Sequence, residues 1–219
     1  MKKLFFCFAL LLLPLLFAGC NGQTLGVEES MSEITNVYFQ GFNGNDRASI
    51  SVGLREEPYI LDGYHGQDCE FSLIVLSIAD NMEENVLNAT LTINGEESQV
   101  ELEFNPLANA YMQDLGYNLQ PDDQVSLTYG NKIINFSNVS QDFAVSSEEA
   151  IDIAKMKLID EISDLTNNGN FEGECYLKVL GESGSDFRQL FWAFSIVSRD
   201  GQTYNVIISA SDGSVLAGD

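Results

Sequence analysis

Chemistry in this chain could sit on one histidine, four cysteines and a set of adjacent acid pairs. His65 lies in Gly63-Tyr64-His65-Gly66, a loop-like setting. A serine hydrolase needs its base in contact with a nucleophile, and no local pattern around His65 supplies one. The pairs Glu56-Glu57, Glu83-Glu84, Glu96-Glu97 and Asp122-Asp123 are hard oxygen donors of the kind calcium takes. None stands in a calcium-loop spacing, so they read as solvated faces. Asn43-Gly44-Asn45-Asp46 is a turn signal. No G-x-S-x-G, HExxH, phosphate loop or dinucleotide fingerprint occurs. The chain is therefore read as non-enzymatic, with no catalytic residues, no cofactor and no metal ligands.

The cysteines divide by position. Cys7 lies in the N-terminal apolar run and Cys20 just after it. Cys69 and Cys175 fall in strand-like segments and read as buried free thiols, with a disulfide between them as the alternative. There is no CxxC and no zinc spacing.

The N-terminus sets the address. Lys2 and Lys3 precede an apolar run from Leu4 to Phe17. Fourteen helical residues would span about 21 Å, short of the roughly 30 Å hydrocarbon core, so the run reads as a signal-peptide core. Phe17-Ala18-Gly19-Cys20 follows, and it resembles the bacterial lipobox. That resemblance implies cleavage before Cys20 and lipid on its thiol, with residues 1–19 removed. Two or more acyl chains give durable anchoring where one does not. The protein is thus expected outside the cytoplasm, lipid-anchored on a bacterial membrane, with residues 20–33 as a polar tether.

Composition narrows the partners. The chain has 10 Lys and Arg against 33 Asp and Glu, a net charge of -23. Loss of Lys2 and Lys3 makes it more negative. Nucleic acid is excluded as a partner because phosphate binding needs basic patches. Lying flat on an anionic leaflet is disfavoured for the same reason.

Two patterns follow the tether. Through residues 34–143 nearly everything reads as strand. Ile50, Val52 and Leu54 alternate with polar neighbours, Phe71 to Ile78 is apolar on both parities, and Asn94-Gly95 joins two strands in a type I′ hairpin. Seven or eight short strands in this spacing resemble the immunoglobulin-like β-sandwiches of bacterial surface proteins, without the paired cysteines and central tryptophan of antibody-type domains. Residues 145–219 differ. Ser146 and Glu149 form a capping box, and Ile151, Ala154, Leu158, Ile162 and Leu165 make one apolar helical stripe. Asn167-Asn168-Gly169 is read as the helix stop. Three strands follow, with Trp192, Phe194 and Ile196 as core beneath the helix.

This second stretch resembles the PepSY domain: a helix, three antiparallel strands, an aromatic middle strand (Phe191-Trp192-Ala193-Phe194), the Asp200-Gly201 turn and a close on Ala-Ser-Asp-Gly-Ser-Val-Leu. The predicted fold class is mainly β with one α+β domain, a sandwich followed by a helix plus three-stranded sheet. The resemblance implies an exported or membrane-attached protein that binds a protein or peptide and inhibits or regulates a peptidase. A surface module for a divalent metal or small molecule is the alternative.

Overall fold

The computed structural model describes residues 26–79, 84–181 and 189–218. Cys20, residues 1–19 expected as a leader, and Glu83 lie outside the described residues. The strands of the first half are β1 (Met31–Asn43), β2 (Asp46–Glu57), β3 (Gln67–Ser77), β4 (Val86–Ile93), β5 (Glu96–Asn105), β6 (Ala110–Asp114), β7 (Val125–Tyr129) and β8 (Lys132–Asn138). The second half holds α1 (Ser147–Lys157), α2 (Ile159–Asp164), a small hairpin of β9 (Thr166–Asn167) and β10 (Asn170–Phe171), then β11 (Gly173–Gly181), β12 (Leu190–Ser198), β13 (Thr203–Ser209) and β14 (Val215–Gly218).

The first half is a closed barrel, which corrects the expected sandwich. Its strands run in the order β1-β2-β3-β6-β5-β4-β7-β8, all antiparallel, and β8 returns to β1 through Phe39↔Asn138, Gln40↔Ser137 and Gly41↔Phe136. Period-2 alternation is the same in a sandwich and a barrel, because both bury one face of each strand. What decides closure is the path of β1. Its register shifts between Thr35 and Val37, a bulge opposite Gly53. A Cβ at Gly53 would lie 1.9 Å from the Ile34 carbonyl oxygen, so only glycine admits the bulge. At Gly41 a Cβ would meet Ile134 and the Asn135 carbonyl, so the seam with β8 also needs a residue without one. The interior is filled: Phe39, Ile50, Ile74, Leu76, Leu91, Leu102, Leu127 and Ile134 are essentially inaccessible. The barrel is a packed scaffold and not a ligand container.

The second half is also not the independent helix and three-stranded sheet expected. It contributes four strands, β11 to β14, and β11 runs parallel to the start of β1 (Met31↔Cys175, Ile34↔Leu177). One twelve-stranded sheet therefore joins both halves. The brief apolar pair expected at Val215-Leu216 is a strand of its own, β14. The capping box forms as expected: Ser146 Oγ accepts from the Glu149 amide at 3.2 Å, and Glu149 Oε2 accepts from the Ser146 amide at 2.9 Å. The single helix expected breaks at Leu158 into α1 and α2, and Asn168-Gly169, both at positive φ, turns the β9–β10 hairpin. Ala150, Ile151, Ala154 and Leu158 cover one face of the sheet, over Leu177, Trp192, Phe194, Val206 and Ile208. Trp192 is core as expected; its Nε1 donates to the Val145 carbonyl at 2.9 Å.

Residues 31–33, read as the end of the tether, are strand, and Ser32 and Glu33 are buried. Cys69 and Cys175 are separate free thiols, Cys175 buried and Cys69 partly exposed. Among the described residues, no helix is long and apolar enough to cross a membrane.

Candidate functional site

The site lies where the two halves meet, at the end of the barrel where β1 begins. Pairing of Glu33 with Arg55 puts the start of β1 beside the end of β2. The segment from Pro58 to Gly66, which joins β2 to β3, then crosses onto the sheet of the second half. Gly63 packs on the β12–β13 turn so closely that a Cβ there would lie 2.6 Å from the Arg199 amide nitrogen, and its φ of 80° is glycine's own region. Tyr64 stacks under Arg199, whose guanidinium is 4.7 Å from the ring centroid.

Strand alternation in β11 explains what this loop covers. Cys175, Leu177 and Val179 face the helix, so Glu174, Tyr176, Lys178 and Leu180 face the other way. Among the described residues no helix covers that second face. Glu174 and Tyr176 are nonetheless buried, because the loop lies over them, while Leu180 farther along is half exposed. Tyr59 meets Tyr176 edge-on at 5.8 Å.

Beneath the loop, one serine hydroxyl gathers three titratable side chains. Ser32 Oγ donates to Glu56 Oε2 at 2.9 Å, lies 3.3 Å from His65 Nδ1 and stands 3.4 Å from Glu174 Oε2. The Gly66 amide donates to the same Glu56 oxygen at 2.7 Å. The other oxygens, Glu56 Oε1 and Glu174 Oε1, are buried with no hydrogen-bond partner, as is the Tyr176 hydroxyl. Burial pushes the Glu174 carboxyl above its ordinary value, and the Glu56 and Asp62 charges push it further up; the Gly63 backbone and the Tyr176 phenol, near it but outside hydrogen-bond geometry, offset this only in part.

The acid next door is treated differently. Glu33 meets Arg55 Nε and Lys178 Nζ, each at 3.3 Å. Arg55 also reaches Asp114 at 3.1 Å and lies over the rings of Phe71 and Tyr59 at 4.2 and 4.9 Å. Lys178 donates to the Tyr59 hydroxyl at 2.7 Å. Burial, then the Glu33 charge, raises the Tyr59 phenol well above its ordinary value, so it stays protonated.

Chemically, the junction holds protons and charges, and a free thiol, Cys69, lies at its edge, donating to Glu57 Oε2 at 3.1 Å. Ser32 and His65 are in contact, and Asp68 lies 3.9 Å from His65 Nε2, the right residue types for a hydrolase. The Ser32 side chain, however, is inaccessible and gives its hydrogen to Glu56. Among the described residues, no group of three or more His, Cys, Asp or Glu is placed to hold a metal ion. Of the sequence-level candidates, the structure brings together His65 and Glu56, and leaves Glu96-Glu97 and Asp122-Asp123 on exposed or half-exposed positions elsewhere. Sequence reasoning missed Ser32, Glu33 and Glu174. One signal could have found Glu56: it shares the parity of Ala48, Ile50 and Val52 along β2.

Two surfaces flank Tyr59. An open groove of about 640 Å³ is lined by Arg55, Glu57, Glu70, Phe71 and Asp114 among others. A trough of about 320 Å³ runs over the uncovered sheet face past Leu61, Leu180, Ala193 and Ile207. Ile60, Leu61 and Tyr64 on the loop are at least half exposed. No family model, no curated protein and no solved structure matches this chain.

Proposed function

We propose that this protein is a lipid-anchored, extracytoplasmic binding module whose partner is an extended, basic and apolar polypeptide segment. The observation that carries the reading is the uncovered face of the second sheet, with Leu61 and Leu180 exposed along it and an acidic groove beside it. Peptides dock on such surfaces by placing alternate side chains into apolar depressions. The groove lining supports a cationic partner. Its cation among the described residues, Arg55, is already paired with Glu33 and Asp114, while Glu70, and Glu57 beside its contact with the Cys69 thiol, face an incoming Lys or Arg. The net charge of -23 steers a cationic segment toward the protein and repels an acidic one.

The edge of β14, unpaired among the described residues, is a weaker place for a partner. It has four residues and a register shift between Ile207 and Ile208, both of which blunt strand addition. Anchorage is supported by Phe17-Ala18-Gly19-Cys20 behind an apolar run.

The test is binding of labelled peptides to the detergent-solubilised full chain. A peptide alternating Leu and Lys binds, affinity falls with salt, and Leu180→Ser weakens binding about tenfold. Equal binding of a Leu–Glu peptide, or no binding of either, overturns the reading. For the anchor, Cys20→Ala releases the protein from the membrane fraction; unchanged fractionation removes that part.

A further inference from the structure

Ser32 Oγ carries one hydrogen and faces two carboxyl groups. That hydrogen goes to Glu56, which also accepts from the Gly66 amide, as a carboxylate does. Glu174 Oε2, 3.4 Å from the same hydroxyl, has no hydrogen left to accept there, and its Oε1 has no partner. A carboxylic acid at Glu174 resolves this geometry, because its own O–H donates to the Ser32 lone pair. We propose that the Glu56–Ser32–Glu174 bridge is a proton-operated latch: with a proton on Glu174 the 58–66 loop stays seated, and without it two buried carboxylates face one hydroxyl and the loop lifts.

The charges around the latch are accounted for on every side. From β1 comes Glu33, and from β2 Arg55, Glu56 and Glu57. The loop brings Tyr59, Asp62 and His65, β3 brings Asp68, and β11 brings Tyr176 and Lys178. Arg55 and Lys178 are committed to Glu33, and Arg199 lies against Tyr64 and Glu172. Among the described residues neither Glu56 nor Glu174 forms an ion pair with Lys or Arg, so no lysine or arginine compensates a second negative charge. Two like charges sharing a buried site push one proton on. The loop depends on this bridge directly: His65 touches Ser32, Gly66 holds Glu56, and Tyr59 covers Tyr176.

Lifting the loop enlarges the uncovered face, so the latch would set access to the surface assigned above. That consequence rests on the peptide reading, whereas the latch itself does not. The test is infrared spectroscopy of the full chain across pH, with amide hydrogen exchange of Tyr64 to Gly66. A carboxylic-acid C=O band persists above the ordinary carboxylate range and is missing in Glu174→Gln. As it vanishes with rising pH, the loop amides exchange several-fold faster than in the Gln variant at the same pH. The surface variant Asp62→Asn, which removes a neighbouring negative charge without touching the core, moves the loss of the band to lower pH. No acid band in that range, a band retained in Glu174→Gln, or equal exchange in the two proteins overturns the latch. Peptide affinity is read separately, so failure of the peptide reading leaves these outcomes intact.

Discussion

Asp46 and Glu174 are both buried acids on strands of the same sheet, and the molecule handles them in opposite ways. Asp46 sits at the barrel's mouth with three donors: the Tyr129 hydroxyl at 2.9 Å, the Ala79 amide at 2.9 Å and Lys132 Nζ. Burial alone would raise its carboxyl, but Lys132, the amide and the phenol outweigh burial and hold it below its ordinary value. Glu174 sits at the junction with no cation and an orphaned oxygen, and its carboxyl is raised. A satisfied buried charge locks a fold, while an unsatisfied one is a place where protonation changes it. The barrel is thus built to stay as it is, and the junction to respond.

The largest way to break this contrast is Asp46→Ala. It removes the buried carboxylate that meets Lys132, the Tyr129 hydroxyl and the Ala79 amide, and should destabilise the protein by about 3 kcal/mol in denaturant melts. Because the Asp46 carboxyl is lowered in the folded state, its contribution is present above the free-chain value of 3.8 and lost as pH falls below it. Gly53→Ala comes next. A methyl driven against the Ile34 carbonyl disturbs the β1 bulge and should cost about 2 kcal/mol, read as a lower melting temperature.

Glu174→Gln has the opposite sign. With the carboxyl raised, its stabilising contribution is present below the free-chain value of 4.5 and lost as pH rises through the folded-state value. The variant should therefore gain about 1 kcal/mol over wild type at alkaline pH, and the gain should shrink as pH falls toward 4.5. A variant no more stable at alkaline pH would erase the contrast with Asp46. Smallest is Leu61→Ser. At 60% exposure its removal should move stability by less than about 0.5 kcal/mol while weakening the Leu–Lys peptide, which separates the surface from the fold.

Local chemistry was legible in the sequence because local chemistry makes it. Asn94-Gly95 adopts the positive φ values its turn requires, and the Ser146 box caps the helix it announces. Closure was not legible, since Ile50 and Val52 alternate identically in a sandwich and a barrel. It turns on the β1 bulge, and nothing in the segment from Thr35 to Val37 marks an extra residue until Gly53 is placed opposite. The site was hidden for a related reason. Ser32 reads as linker because Ser and Glu are what linkers contain, and it meets Glu174 across 142 positions of chain. Glu174 reads as an ordinary exposed strand acid until a loop from the other half is laid on top of it. Glu56 alone carried a readable signal, the inward parity of β2, although the Glu56-Glu57 pair reads as a solvated face.

The sharing of β1 between barrel and second sheet has a mechanical consequence. If the chain is held at its N-terminal side, load passes into β1 at Met31 and runs along the strand. There the strand is bonded on one side to β2 and on the other, in parallel, to β11. Tension along that axis must shear both ladders together, because they lie beside the pulled strand and cannot open one bond at a time. Resistance to force is set by the rate of that concerted rupture and not by equilibrium stability. A protein tied to its support by this strand is gripped at the seam where its two halves are one.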